Sequence, residues 1–353
     1  MGIYFCCIIL TMIAFKLFNY KKALKISFVI LAVVAALRKY TVGVDTDQFY
    51  RMFTYIGANT SWNYRIARYE PGYFYLCKLL FLLCRDGQIL IVVTSLFINY
   101  SAYRFIKENS PGYYSSTLLY IFMNIYFSNM NVMRQAVASS ILLLGFRCLK
   151  EKRYWEYLVY VAIATMFHKV SVAAVLIVVF MVLPDRKLTY ILEVFLAVIS
   201  FVLGKRFFFL LSAVFGHSGY ADSEFGVSNY FGSLIAAGEI LLVAGLLLFL
   251  AFIKKRDAEK LQGDKLFIVI CLLYIWFSFL VVRMNIFNRI AELFAVYTVV
   301  LFPKLLEYVD ARNHRNYKIM CVFVRVVYFT SFVVINYFRP EWYGVVPYQF
   351  FWR

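Results

Sequence analysis

The chain has 353 residues, of which 63% are hydrophobic and 16% are charged, and its formal net charge is +18. Soluble proteins carry about 25% charged residues, so this composition excludes an ordinary soluble domain. Apolar runs close to the length of a transmembrane helix recur along the whole chain. The positive charge favours anionic membrane lipid or a phosphorylated substrate as partner, and so apolar a chain argues against nucleic acid.

These runs predict an all-α, polytopic transmembrane helical bundle that forms a single integral membrane domain over residues 1–353. Helices are the expected spanning elements because they satisfy their own backbone hydrogen bonds in lipid. The predicted spans lie at 2–18, 23–38, 88–106, 113–128, 131–149, 154–168, 170–183, 188–204, 230–253, 265–282, 286–309 and 317–337. A thirteenth apolar run, 73–83, is short.

Basic connections set the predicted orientation of the spans. They lie around residues 21–25, 150–153, 186–187, 254–260 and 312–318, and the positive-inside rule places them in the cytoplasm. The connection 39–70 then lies outside, so 71–84 is expected to be re-entrant or interfacial rather than a full crossing. The prediction is about twelve spanning helices, with outer segments at 39–70, 205–229 and 338–353.

Basic residues at the outer face are the informative ones, because the positive-inside rule disfavours them. Arg38 ends one span, Arg134 begins another, and Arg283 and Arg289 flank the start of a third. An ionisable group at membrane depth costs roughly 2.5–3.5 kcal/mol, so it usually faces a cavity or a partner. For one arginine, snorkelling or structural pairing explains as much as function does. Several arginines at one face indicate an anion site.

Three residues at the same face are candidates for acid–base chemistry. His168 lies between two apolar helices, where it can act as a base or bind a phosphate oxygen, although a lone histidine there is often a core group. Asp45 is a candidate base or sugar-hydroxyl acceptor. Glu70 precedes a predicted helix start, where it complements the helix dipole or acts as a buried acid. With Asp47, Asp45 forms an Asp-x-Asp pair, which is a weak signal for a divalent cation.

Four motifs occur in an informative order. They are Arg38 with Val42-Gly43-Val44-Asp45-Thr46, Tyr69-Glu70-Pro71-Gly72-Tyr73, Met133-Arg134-Gln135-Ala136-Val137-Ala138, and Phe167-His168-Lys169-Val170-Ser171. Together they resemble the EpsG/Wzy family of oligosaccharide repeat-unit polymerases over about residues 30–175. The C-terminal half adds Asn288-Arg289-Ile290-Ala291 and Val346-Pro347-Tyr348. Lys169 departs from the family pattern, which often has a small residue after the histidine.

The resemblance implies a glycosyltransferase of the bacterial inner membrane, similar in fold to membrane-embedded lipid-linked glycosyltransferases, whose active site faces the periplasm. The implied donor is a growing glycan on undecaprenyl diphosphate, and the acceptor is a repeat unit on a second undecaprenyl diphosphate. No metal and no cofactor are implied, and a chain-length regulator protein is a candidate partner. The product can be O-antigen, capsule or exopolysaccharide.

The resemblance also assigns roles to residues. Arginines would bind the leaving diphosphate, because their planar fork holds phosphate and keeps its charge: Arg38, Arg134, Arg283 and Arg289. Two polar side chains would contact the sugar or support the arginines: Gln135 and Tyr348. The base remains open among three candidates: His168, Asp45 and Glu70.

Three other membrane activities remain as alternatives. A flippase for lipid-linked oligosaccharides works at both faces, but mid-helix positions here are mostly apolar, with Lys78, Glu193, Glu239 and Arg325 the main exceptions. A membrane acyltransferase also uses an intramembrane histidine, but its acyl donor is cytoplasmic, whereas His168 is predicted outside. An O-antigen ligase-like transferase is chemically close to a polymerase and remains the main alternative.

Overall fold

The computed structural model describes residues 1–66, 69–184, 186–204, 206–207, 230–254, 265–310 and 314–352. Over these residues the chain is helical, and the one bridge between extended segments joins Arg38 to Phe350. The helices are α1 (Gly2–Leu17), α2 (Tyr20–Ala36), α3 (Thr46–Ala58), α4 (Pro71–Leu83), α5 (Gln88–Asn109), α6 (Tyr113–Phe122), α7 (Ile125–Asn131), α8 (Met133–Leu144), α9 (Phe146–Lys150), α10 (Tyr154–Thr165), α11 (Val175–Val182), α12 (Arg186–Leu203), α13 (Tyr230–Lys254), α14 (Lys265–Val281), α15 (Asn288–Asp310) and α16 (His314–Phe338). The prediction of an all-α fold is confirmed. The predicted outer segment 205–229 lies almost entirely outside the described residues.

Within the described ranges, three helical stretches are long and apolar enough to cross a membrane. They are Gln88–Asn109, Asn285–Leu305 and Ile319–Phe338. Several apolar helices are shorter: Gly2–Leu17, Pro71–Leu83, Met133–Leu144, Lys169–Val182, Gly232–Gly245 and Lys265–Val281. A straight helix needs about 20 residues to cross the hydrocarbon. The chain is therefore a helical membrane protein, and the count of twelve crossings stays a prediction.

The packing forms two helix groups joined by α6. On one side α5 packs against α2 and α8, and α8 packs against α10. On the other side α15 packs against α14 and α16. Because α6 contacts α2, α15 and α16, it connects both groups through one apolar core.

Two predicted spans are interrupted where they approach this junction. The predicted span 113–128 breaks at Asn124, which adopts the left-handed conformation with φ 57° and separates α6 from α7. The predicted span 170–183 begins as a 3-10 turn over Lys169–Ala174. Non-helical backbone at membrane depth is tolerated where it is buried in protein or lines a cavity. The two breaks therefore mark positions where the backbone is either covered by protein or lines a cavity.

The connection 39–70 contains a helix that the sequence analysis did not predict. On α3, Phe49, Phe53 and Ile56 are buried at helical spacing and pack in a separate apolar cluster with Tyr73 and Phe74 of α4. This spacing places them on one face of the helix. The connection is therefore a packed cover over the start of α4, not an extended loop.

The C-terminal segment returns to the same region and holds the start of the connection. The amide of Lys39 donates to the carbonyl of Gln349 at 2.9 Å, and the amide of Gly43 donates to that of Gly344 at 2.8 Å. Gly43 has φ 106°, and an added Cβ would lie 2.4 Å from Thr46 Oγ1. Only glycine fits there. The turn before α3 is therefore held by the C-terminal segment and by its own close contact with Thr46.

Candidate active site

The helices α8 and α15 begin side by side, each with an arginine as its second residue. Gln135 Nε2 of α8 donates to the carbonyl oxygen of Arg289 in α15 at 2.8 Å. Arg134, next to Gln135, is the α8 counterpart of Arg289. The N-terminal ends of helices carry partial positive charge, which adds to that of the guanidiniums. The junction is therefore suited to an anion.

Arg134 is paired with Glu70 across the α4 and α8 starts. Its Nη1 donates to Glu70 Oε2, and Glu70 Oε1 accepts from the amide of Lys169 at 3.3 Å. The Glu70 side chain is 9% exposed and the Arg134 side chain 20%. One carboxylate oxygen is therefore engaged by a charged guanidinium and the other by a backbone amide.

Aromatic rings of α3 and the α4 region surround the guanidinium of Arg134. Its Cζ lies 4.4 Å from the ring centroid of Tyr69, 5.6 Å from that of Phe49 and 5.8 Å from that of Tyr73. These distances are within the range of cation–π attraction. Burial raises the pKa of Tyr69, although the nearby Arg134 opposes this shift. The rings therefore pack around the guanidinium and leave it partly exposed.

His168 lies beside this cluster because two of the sequence motifs pack together. The amide of Gly72 donates to the carbonyl of Met166 at 2.7 Å, and a Cβ on Gly72 would lie 2.7 Å from that oxygen. The half-buried His168 directly precedes Lys169, whose amide binds Glu70. The motifs at 69–73, 133–138 and 166–171 therefore meet around Glu70.

A polar cavity of about 340 Å³ lies on the other side of the α8 start. Its lining comes from α7, α8, α13, α14, α15, α16 and the 3-10 turns that precede α15 and follow α16. The polar side chains at its α8–α15 end are Ser128, Asn131, Gln135, Asn288, Arg289 and Glu292. Gln135 Oε1 is buried and accepts no hydrogen bond from the residues that the structure describes.

Glu292 is one of the two carboxylates that line this cavity, with Glu239, and it was not predicted from the sequence. Its Oε1 accepts from Ser128 Oγ and from Asn288 Nδ2, both at 3.1 Å, and its Oε2 accepts from Gln135 Nε2 at 3.4 Å. All three donors are uncharged. Unlike Glu70, Glu292 is therefore held in place by neutral groups.

Asp45 faces the cavity arginine from the turn before α3. Its Oδ2 lies 3.9 Å from Arg289 Nη2, and its amide donates to Asn131 Oδ1 at 2.9 Å. Asp47 instead forms an ion pair with Arg51 at 2.9 Å on the exposed side of α3. The two carboxylates of the Asp-x-Asp pair therefore face different arginines.

Three of the predicted site residues lie away from the cavity. Arg38 is 1% exposed and donates to the Ala35 carbonyl at 2.5 Å, to Ser95 Oγ at 2.7 Å and to the Met130 carbonyl at 3.1 Å. The hydroxyl of Tyr348 donates to the Val34 carbonyl at 2.8 Å. Exposed Arg283 lies over the ring of Phe201 at 4.7 Å. Arg38 and Tyr348 therefore hold helices together by hydrogen bonds, and Arg283 packs on Phe201 outside the cavity.

Comparison with known proteins agrees with the geometry at the family level. The model of the EpsG family matches residues 21–350, nearly the whole chain. No curated protein and no solved structure matches the chain significantly. The match extends through α15 and the C-terminal segment, beyond the N-terminal motifs that carry the resemblance. The chain belongs to the EpsG family, as its motifs predict, and is a membrane protein of the glycan-polymerase type.

Proposed function

We propose that the chain is a polysaccharide polymerase of the bacterial inner membrane, acting at the periplasmic face. It would transfer a growing glycan from undecaprenyl diphosphate to the non-reducing-end sugar of a repeat unit on a second undecaprenyl diphosphate. One observation carries the proposal: the arginine-bearing first turns of α8 and α15 meet beside a polar cavity that contains a carboxylate. A glycosyl transfer from a diphosphate needs both of these features.

Arg289 and Arg134 are assigned to the diphosphate. Arg289 lines the cavity. Arg134 does not line it: its guanidinium is paired with Glu70 at the same helix start, so it would contact the diphosphate from that side. Negative charge accumulates on the diphosphate as its bond to the anomeric carbon breaks. Guanidiniums that are already in position stabilise this charge without reorganisation. Arg38 and Arg283 take no part in this assignment.

Glu292 is assigned as the base. In the transfer, the acceptor hydroxyl oxygen bonds to the anomeric carbon while the bond from that carbon to the diphosphate oxygen breaks. The hydroxyl proton passes to a Glu292 oxygen, and the electron pair of the broken bond leaves with the diphosphate. Glu70 is a weaker candidate because it is paired with Arg134 and does not line the cavity. His168 adjoins Glu70 and remains the alternative base.

Gln135 and Asp45 are assigned to orient the acceptor sugar and Arg289. Gln135 lines the cavity, and its Oε1 has no donor among the described residues, so it would accept from a sugar hydroxyl that reaches it. Asp45 lies close enough to Arg289 to hold the guanidinium at the cavity wall. Both roles are structural supports of the reaction and involve no proton transfer.

Deletion of the gene followed by electrophoresis of surface glycans tests the function. We expect the ladder of long glycans to disappear while glycan of a single repeat unit remains attached. Loss of all attached glycan would instead indicate a ligase or a flippase, because those activities are needed for even one unit to appear. An unchanged ladder would reject the proposal.

The proposed orientation gives a separate prediction. Cysteines replacing Asp47 and Glu341 should react with an impermeant thiol reagent in cells with a permeabilised outer membrane. Cysteines replacing Lys107 and Lys150 should react only after the inner membrane is opened, because these residues lie at predicted cytoplasmic ends. The wild type, with exposed Cys6 and Cys84, sets the background. Labelling of the lysine positions in sealed cells would reverse the orientation and place the cavity at the cytoplasmic face.

A further inference from the structure

An apolar groove of about 720 Å³ runs between α13 and α16. Its α13 wall includes Leu234, Gly238 and Gly245, and its α16 wall includes Phe323 and Val327. The polar groups along it are few: Glu239, Tyr328, Thr330 and Ser331. The groove is open on the side that would face lipid, since Leu241 is 74% and Phe323 53% exposed.

The groove and the polar cavity share part of their walls. Ile235 and Glu239 line both, and Glu239 is fixed between them by a hydrogen bond from the hydroxyl of Tyr274. A molecule with a charged head in the cavity therefore has an apolar surface beside it for its tail. The groove continues along α13 to Gly245, about 9 Å beyond Glu239. The groove thus extends away from the cavity along the helix.

The two glycines indicate that the space belongs to a ligand. A glycine inside a helix is about 0.5–1 kcal/mol less favourable than alanine, so it usually has a packing reason. In membrane bundles that reason is a closely packed neighbouring helix. Here a Cβ added to Gly238 or to Gly245 would meet no atom of the described residues within 4 Å. The glycines lie seven residues apart, on the same face of α13, and leave this face open.

We propose that this groove binds the polyprenyl chain next to the diphosphate of a lipid-linked substrate, and that it sets the depth at which the diphosphate lies in the cavity. The inference rests on the proposed function. A pocket that holds a drug-sized ligand has about 300–1,000 Å³, so this groove takes only the first part of a long chain. Because lipid tails are as apolar as the groove, binding there gains little free energy. The groove therefore acts by positioning the lipid-linked substrate rather than by adding binding free energy.

Filling the groove tests this role. We expect Gly238→Phe and Gly245→Phe to slow polymerisation of lipid-linked repeat units by about 10²-fold in purified, reconstituted protein, because a displacement of about 1 Å has that effect. Val326→Phe is the matched control, because Val326 is 55% exposed on α16 outside the groove. It should retain the wild-type rate. Full rates in both glycine variants, at normal protein levels, would overturn the proposal.

Photolabelling of the wild-type protein gives a result that does not depend on the variants. A polyprenyl diphosphate with a diazirine in its first isoprene units should label the α13 and α16 walls, and unlabelled polyprenyl diphosphate should prevent this. Labelling that is not displaced, or that a diazirine phospholipid reproduces equally, would assign the groove to bulk lipid and overturn the proposal. If displaceable labelling occurs in a protein that does not polymerise, the groove proposal holds and the proposed function fails.

Discussion

Replacing Arg134 by lysine should abolish the glycan ladder while the protein still inserts and accumulates. Lysine keeps the charge opposite Glu70 but loses the planar fork that lies 4.4 Å from the Tyr69 ring centroid. A lost contact to the developing charge costs roughly 2.7–4 kcal/mol, or about 10²–10³ in rate. The measurement is the ladder from complemented deletion cells, normalised to protein level, together with the rate of the purified variant.

Alanine at this position is a less informative change. It leaves the nearly buried Glu70 without its partner, and an unpaired buried charge destabilises a protein by roughly 3–5 kcal/mol. The matched control is Arg51→Lys, because Arg51 is also paired with a carboxylate but its side chain is 77% exposed. The control should retain a normal ladder. A full ladder from Arg134→Lys cells would leave Arg134 a packing residue and remove it from the diphosphate site.

The helix positions could be predicted from the sequence because lipid imposes one strong constraint. Long apolar runs have to be helical, and most of the predicted spans coincide with helices to within a few residues. This constraint does not apply to the connection 39–70, which is not a predicted span. There α3 is stabilised by packing its apolar face against α4. The repeat of Phe49, Phe53 and Ile56 at helical spacing was a signal that could have revealed it. The break at Asn124 had no comparable signal, because it depends on the packing around it.

The site was only partly predictable, because a motif shows which residues occur together but not which way they face. The motifs of Glu70, Arg134 and His168 do converge. Arg38 belongs to the same set of motifs, yet its guanidinium is turned into the bundle, where it donates to carbonyls of two helices. Polar side chains at the outer face can hold helices together, as Arg38 does, or take part in the reaction. Sequence alone does not separate these two uses.

Glu292 was missed although a signal for it existed. It follows Arg289 by three residues at the start of an otherwise apolar helix, so both side chains lie on one face. Ionisable residues within membrane helices are functional candidates by default. The hydrogen bonds from Ser128, Asn288 and Gln135 became visible only in the folded chain.

Replacing Glu292 by glutamine should lower the polymerisation rate by about 10²–10⁴-fold, the usual contribution of a general base. The change preserves size, and the amide oxygen can keep the two hydrogen bonds that Oε1 accepts from Ser128 and Asn288. The amide cannot take up the proton of an acceptor hydroxyl. Loss of rate with unchanged binding of the lipid-linked substrate would therefore identify a proton-transfer role.

Two matched variants separate Glu292 from the other candidate bases. Glu341→Gln, at an exposed glutamate outside the cavity, should retain the wild-type rate. His168→Ala should reduce the rate less than Glu292→Gln, because His168 adjoins the Glu70–Arg134 pair and does not line the cavity. The rates of purified, reconstituted variants at equal protein amounts decide between them. A near-normal rate for Glu292→Gln with a loss of 10² or more for His168→Ala would transfer the role of base to His168 and contradict the present assignment.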